Sequence, residues 1–132
     1  MFEGKSILIV DDDPSLLDMY VERIKAEGAI VLEANNGEEA IKVAKEEHPQ
    51  IILLDIMMPK VNGFEVLKNL KADSDTATIP IVILTALADD QKRRQAFALG
   101  AADFIVKSEI LPIDVVEKLR KIIAPEPEQK QV

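Results

Sequence analysis

The chain has no cysteine, no tryptophan, one tyrosine, one histidine and five glycines in 132 residues. Without cysteine, disulfides, thiolate metal centres and a cysteine nucleophile are excluded, and that count leaves the redox compartment undetermined. No glycine-rich phosphate loop and no internal repeat is present. Cations are in the minority, 16 lysines and arginines against 24 acids, for a formal net charge of -8. That sign argues against direct binding to nucleic acid or an anionic membrane, since both need a cationic surface. No apolar run reaches ~18 residues, and Met1 to Lys5 lacks the basic start and apolar core of a signal peptide. The expectation is a cytoplasmic protein without membrane attachment.

What is present is a set of short apolar runs that end on polar residues. The central one is Ile51-Ile52-Leu53-Leu54, which delivers Asp55 to a segment stopped by Pro59. Such a run without polar alternation reads as a strand buried on both faces, the habit of parallel sheets covered by helices. Ser6 to Val10 is a similar strand running into Asp11-Asp12-Asp13-Pro14, where Asp13 can cap a helix whose first turn holds Pro14. Leu16, Leu17, Tyr20, Val21 and Ile24 recur at helical spacing until Gly28. Ala29 to Ala34 is a second strand, and Asn36 with Glu39 resembles a capping pair before a helix from Glu38 to about Glu47. Asn62 and Glu65 repeat that pattern before a third helix, and a polar loop from Asp73 to Thr78 follows. Then come a strand at Pro80 to Leu84, a helix at Asp89 to Leu99, a strand at Asp103 to Val106 and a helix at Ile113 to Ile123.

Five strands alternating with five helices predict an α/β fold with a doubly wound parallel sheet, because each parallel return needs a crossover. At about one domain's length, the chain can bury roughly two thirds of its unfolded surface. The domain is expected over residues 1–123. Residues 124–132, polar and interrupted by proline, read as a tail or the start of a linker.

In this arrangement Asp11 and Asp12, Asp55, Thr85 and Lys107 follow or end four different strands and should meet at one sheet edge, the usual ligand crevice of open α/β sheets. Three carboxylates drawn together make best sense around a divalent cation, and oxygen ligands favour Mg²⁺ or Mn²⁺. Magnesium commonly completes its shell with phosphate oxygens, and a carboxylate is a recognised nucleophile toward phosphorus. Lys107 can neutralise phosphoryl oxygens and Thr85 can donate a hydroxyl to one.

These residues resemble, in order, the receiver domain of two-component response regulators over about residues 4 to 123. The resemblance rests on Asp11-Asp12 after a hydrophobic strand, Asp55 in Leu-Leu-Asp-Ile-Met-Met-Pro, Asn62-Gly63, Thr85-Ala86, Gly100-Ala101-Ala102-Asp103-Phe104, and Lys107. It implies a flavodoxin-like sheet of strand order 2-1-3-4-5 and phosphoryl transfer to Asp55 from a sensor histidine kinase or phosphotransfer protein. It further implies Mg²⁺ held by Asp12, Asp55 and the backbone carbonyl of Met57, with Asp11 reaching the metal through water. Thr85 and Lys107 would bind the phosphoryl oxygens, and Thr85 with Phe104 would form the switch pair. Met57 and Leu87, two places after the phosphoacceptor and the switch threonine, would set the hydrolysis rate of the phosphorylated state. A weak, phosphorylation-dependent homodimer would pair Arg93 with Asp114 and Asp103 with Lys118.

The sequence departs from that family in two places. Lys107 is followed by Ser108 where receivers usually carry proline, and the switch aromatic is Phe104 rather than the common tyrosine. Each residue also has a plainer reading. Asp13 is explained as a cap, Thr85 as a strand-end hydroxyl, Lys107 as a solvated cation, Phe104 as core, and His48 as a helix-end residue with no catalytic role. An enzyme of the haloacid dehalogenase type, with Asp11-x-Asp13 as its nucleophile motif, is the main alternative, and a constitutive interaction module is a third reading. Neither accounts for Asp55, Thr85 and Lys107 together.

Overall fold

The structure, a computed structural model, describes residues 2–12, 14–56, 62–86 and 89–123, with the backbone alone for 14–17. In chain order the elements are β1 (Ser6–Val10), α1 (Pro14–Lys25), β2 (Ile30–Ala34), α2 (Gly37–Glu47), β3 (Ile51–Leu54), α3 (Gly63–Ala72), β4 (Ile81–Thr85), α4 (Asp90–Ala98), β5 (Asp103–Val106) and α5 (Pro112–Ile123). The strands form one parallel sheet ordered β2-β1-β3-β4-β5. That is the doubly wound order expected from the sequence resemblance.

The apolar strands are explained by the two cores they serve. Leu8, Val10, Ile52, Leu54, Ile81, Ile83, Phe104 and Val106 point to the face covered by Ala40 and Ala44 of α2, Val66, Leu67 and Leu70 of α3, and Ala96 of α4. Their neighbours Ile7, Ile9, Ile51, Leu53, Val82, Leu84 and Ile105 point to the other face, against Tyr20, Val21 and Ile24 of α1 and Val115, Val116 and Leu119 of α5. Successive strand residues alternate in direction, so a strand sandwiched between two helical layers must be apolar at every position. Each Ile or Leu so enclosed contributes about 1.5–3 kcal/mol of transfer free energy.

Helix ends follow local chemistry with some shifts from expectation. α1 stops at Lys25 rather than running to Gly28, because the last turn tightens. Glu27 N–H donates to Ile24 O at 3.1 Å and Gly28 N–H to Lys25 O at 2.9 Å, with Gly28 at φ 94°. Asn36 caps α2 by accepting from Glu39 N–H at 2.8 Å, but the Glu39 carboxylate returns to Asn35 N–H at 3.0 Å, one residue beyond the expected reciprocal bond. Asn62 caps α3 through Phe64 and Glu65 N–H, and Asp89 caps α4 through Gln91 and Lys92 N–H. The supposed cap Asp13 lies outside the described residues. α4 is loosely seated: Ala96 is its one fully enclosed residue.

The stretch from Asp73 to Thr78 is not a plain surface loop. Thr76 is buried and donates its hydroxyl to Leu70 O at 2.6 Å. Lys71 Nζ donates to Ala77 O at 3.0 Å and Ile79 O at 2.7 Å, fastening the loop to α3, and burial pulls the Lys71 pKa down.

Candidate functional site

The C-terminal ends of the strands carry the polar residues inward. Asp11 N–H donates to Ala34 O at 3.2 Å and Asp55 N–H to Val10 O at 2.9 Å, so both acids extend the sheet ladder by one residue and inherit its rigidity. Their side chains are buried, as is Thr85 at the last position of β4, while Asp12 stands exposed beside them. Ligand oxygens of Asp11, Asp12 and Asp55 all lie within 4.8 Å of one another. Lys107, first residue of a short 3₁₀ turn (Lys107–Glu109), places Nζ 3.0 Å from Asp11 Oδ2 and 3.4 Å from Asp55 Oδ2.

Burial of Lys107 disfavours its ammonium form. The hydrogen bond to Asp11 and the charges of Asp55 and Asp11 outweigh that penalty, so its pKa is raised above the usual lysine value. Three carboxylates against one ammonium leave the cluster formally two charges short of neutrality. Donors that are all oxygen and gathered this closely fit a hard divalent cation such as Mg²⁺. Tyr20, which the sequence marked only as a core position, also borders this region. Burial pushes its phenol pKa up, and it senses Lys107 and Asp11 electrostatically.

The profile of the response regulator receiver domain matches residues 7–120. The chain belongs to that family. It is 40% identical over 118 residues to the DNA-binding dual master transcriptional regulator RpaA of a Synechocystis strain, covering 89% of this chain and 47% of that protein. Among solved structures it resembles the BeF3-activated N-terminal receiver domain of Klebsiella pneumoniae RstA, with a TM-score of 0.84 and 28% identity over 91% of this chain and 99% of that one. The chemotaxis response regulator CheY4 of Vibrio cholerae matches with a TM-score of 0.82 and 29% identity over 89% of this chain and 98% of that one. The chain spans about half the length of the curated relatives it matches.

The remaining residues of this receiver are placed as follows. Phe104 faces inward, 4% exposed, beside Ile83 in the sheet, and Thr85 pairs in register with Val106. Met57 and Leu87 lie outside the described residues. Asp114 is exposed in the first turn of α5. Lys118 lies 3.5 Å from Asp103 of its own chain. The Arg93 guanidinium lies 5.6 Å from the Phe97 ring and 5.8 Å from the Phe104 ring. Among the described residues no helix is long and apolar enough to cross a membrane.

Proposed function

We propose that this receiver takes a phosphoryl group from a sensor histidine kinase or histidine phosphotransfer protein onto Asp55, and that the modification alters a surface controlling a partner or effector. The observation that supports the reading is the gathering of Asp11, Asp12, Asp55 and Lys107 at one sheet edge. A carboxylate oxygen of Asp55 forms the new bond to phosphorus as the phosphorus–nitrogen bond of the donor breaks, and the imidazole nitrogen keeps the electron pair. Asp55 suits this role because its backbone is held by the ladder, so its carboxylate is positioned before the donor arrives. Lys107, already within reach of Asp55, moves its ammonium onto a phosphoryl oxygen. The Thr85 hydroxyl donates to another. Mg²⁺ or Mn²⁺, held by Asp11, Asp12, Asp55 and the Met57 backbone carbonyl, would neutralise charge on the phosphoryl oxygens. Thr85 and Phe104 then carry the change to the neighbouring face. Residues 1–123 act as the receiver and 124–132 as a polar tail or linker, a division that limited proteolysis checks.

The protein acts on itself and on its phosphodonor, with no external metabolite as substrate. Incubation with a small acyl-phosphate donor and Mg²⁺ should label the parent, while Asp55→Asn keeps the fold and takes up no phosphate. Label that persists in Asp55→Asn, or that maps to Asp11 as a haloacid dehalogenase reading requires, overturns the assignment.

A further inference from the structure

Tyr20 is 4% exposed and belongs, with Val21 and Ile24, to the apolar core between α1, α5 and one face of the sheet. Of the described α1 side chains in that core it lies closest to the start of the helix, and α1 starts at the carboxyl edge, just beyond Asp11 and Asp12. Asp11 and Asp55 stand on the same face. They follow Ile9 and Leu53 of that core by two positions, in ladders that their own N–H groups prolong. The phenol therefore closes the core at the end where the acids and Lys107 gather. Burial raises its pKa against the pull of the Lys107 ammonium, so the two groups are within electrostatic reach of each other. Each has hydrogen-bonding capacity to spare. A lysine ammonium carries three N–H donors, and Lys107 directs two of them at Asp11 and Asp55. Its third donor and the Tyr20 phenol oxygen have no protein partner among the described residues, although the Lys107 side chain is only 14% exposed. Phenylalanine would fill the same apolar space without a hydroxyl, and buried hydroxyls as a rule have a partner.

We propose that Tyr20 is a positioning residue for transfer to Asp55, its phenol oxygen accepting the third N–H of Lys107 and holding the ammonium beside Asp55 when the Asp11 carboxylate turns to a divalent cation. Asp11 is the nearer of the two acceptors, at 3.0 Å against 3.4 Å, so its loss would leave a long, flexible side chain held by Asp55 alone. A phenol fixed by core packing supplies the second anchor. Being neutral, it leaves the charge of the ammonium undiminished for the phosphoryl oxygens. The lysine stem supplies the small rotation that brings donor and acceptor together, while the ring stays where Val21, Ile24 and the strands hold it.

This inference rests on the reading of Asp55 as phosphoacceptor, and its test separates the two. Tyr20 is the only tyrosine in the chain, so tyrosine labelled with ¹³C at Cζ gives one signal that reports on this hydroxyl. The signal is read without phosphodonor, in the parent and in Lys107→Met, as Mg²⁺ is added. Mg²⁺ should move it further in the parent, where the ammonium transfers to the phenol, than in Lys107→Met. An equal response in the two proteins overturns the proposal. The rate of acyl-phosphate labelling with Mg²⁺ is then compared in Tyr20→Phe, which keeps the ring, and Tyr20→Leu, which does not. Loss of the one hydrogen bond should slow Tyr20→Phe about three- to tenfold, with Tyr20→Leu at least as slow. Parental rate in Tyr20→Phe beside a slow Tyr20→Leu shows that the ring only packs, and overturns the positioning role. A parent that takes up no label at Asp55 overturns the phosphoacceptor reading instead, and the tyrosine signal, measured without donor, still decides whether Tyr20 holds Lys107.

Discussion

Lys107 has two carboxylates within reach, those of Asp11 and Asp55. Its ammonium sits nearer Asp11 than Asp55, so it acts as a resident cation inside a cluster that also suits a divalent one. Lys107→Met takes the ammonium away from a buried carboxylate and should cost about 1–3 kcal/mol without metal, lowering the melting temperature by roughly 3–10 °C. The same change removes the competing positive charge. Added Mg²⁺ should therefore bind more tightly and raise the melting temperature further in Lys107→Met than in the parent, and EDTA should reverse the gain. An equal Mg²⁺ response in both proteins would show that lysine and metal do not contend for these acids. On the proposed phosphorylation of Asp55, the lifetime of the modified state is expected to depend on Met57 and Leu87. Met57 and Leu87 are apolar and cannot orient an attacking water, and positioning is much of what a protein contributes to phosphoryl transfer. Slow decay is expected, with Met57→Asn, Leu87→Glu and the double variant decaying faster. Decay rates no faster than the parent's would sink that explanation.

The start of α3 is packed against the backbone that carries Asp55. A Cβ at Gly63 would stand 2.8 Å from Asp55 O and 2.8 Å from Ile56 Cγ2, so the helix start is packed directly onto the backbone that carries Asp55, the proposed phosphoacceptor. Gly63 N–H donates to Ile56 O at 3.1 Å, and Asn62 caps the first turn at the same place. No side chain longer than hydrogen fits there without moving backbone. Gly63→Ala should cost about 1–3 kcal/mol through overpacking and slow phosphorylation by displacing Asp55. Denaturant midpoints and the rate of acyl-phosphate labelling check both parts, and a variant with parental stability and rate would show that α3 yields without disturbing Asp55. At its other end, α3 is secured by Lys71 and Thr76, which close the following loop through backbone carbonyls.

As a whole molecule the protein has a face on α4, β5 and α5 on which Asp103 is already paired with Lys118 of the same chain. A two-fold dimer in which Asp103 meets Lys118 of the other copy would first break the same pair within each chain. Exchange of equivalent pairs gains little, and exposed pairs are each worth ~0–1 kcal/mol in any case. A homodimer by this route should be weak and should need phosphorylation. Sedimentation of the beryllofluoride-loaded protein tests it. A monomer at high concentration, or a dimer that survives Arg93→Glu, rules this face out.

The amino-acid sequence by itself was sufficient for the elements and for most members of the site, because both are written in local rules. Apolar runs that end on Asp11, Asp55, Thr85 and Lys107 mark strands and their polar tips, and the caps at Asn36, Asn62 and Asp89 mark where helices begin. Tertiary structure alone decided which charges meet. Lys107 and Asp11 are 96 positions apart and Lys107 and Asp55 are 52 apart, so their distances depend on the order and register of the strands rather than on spacing in the chain. The same holds for Lys118 choosing Asp103 of its own chain, for Arg93 turning to two rings, and for Thr76 and Lys71, polar residues in a polar stretch that no periodicity marks as enclosed. Hydrophobic pattern specifies which face of an element is buried. The partner of a long or polar side chain is selected by what lies within its reach once the layers have packed.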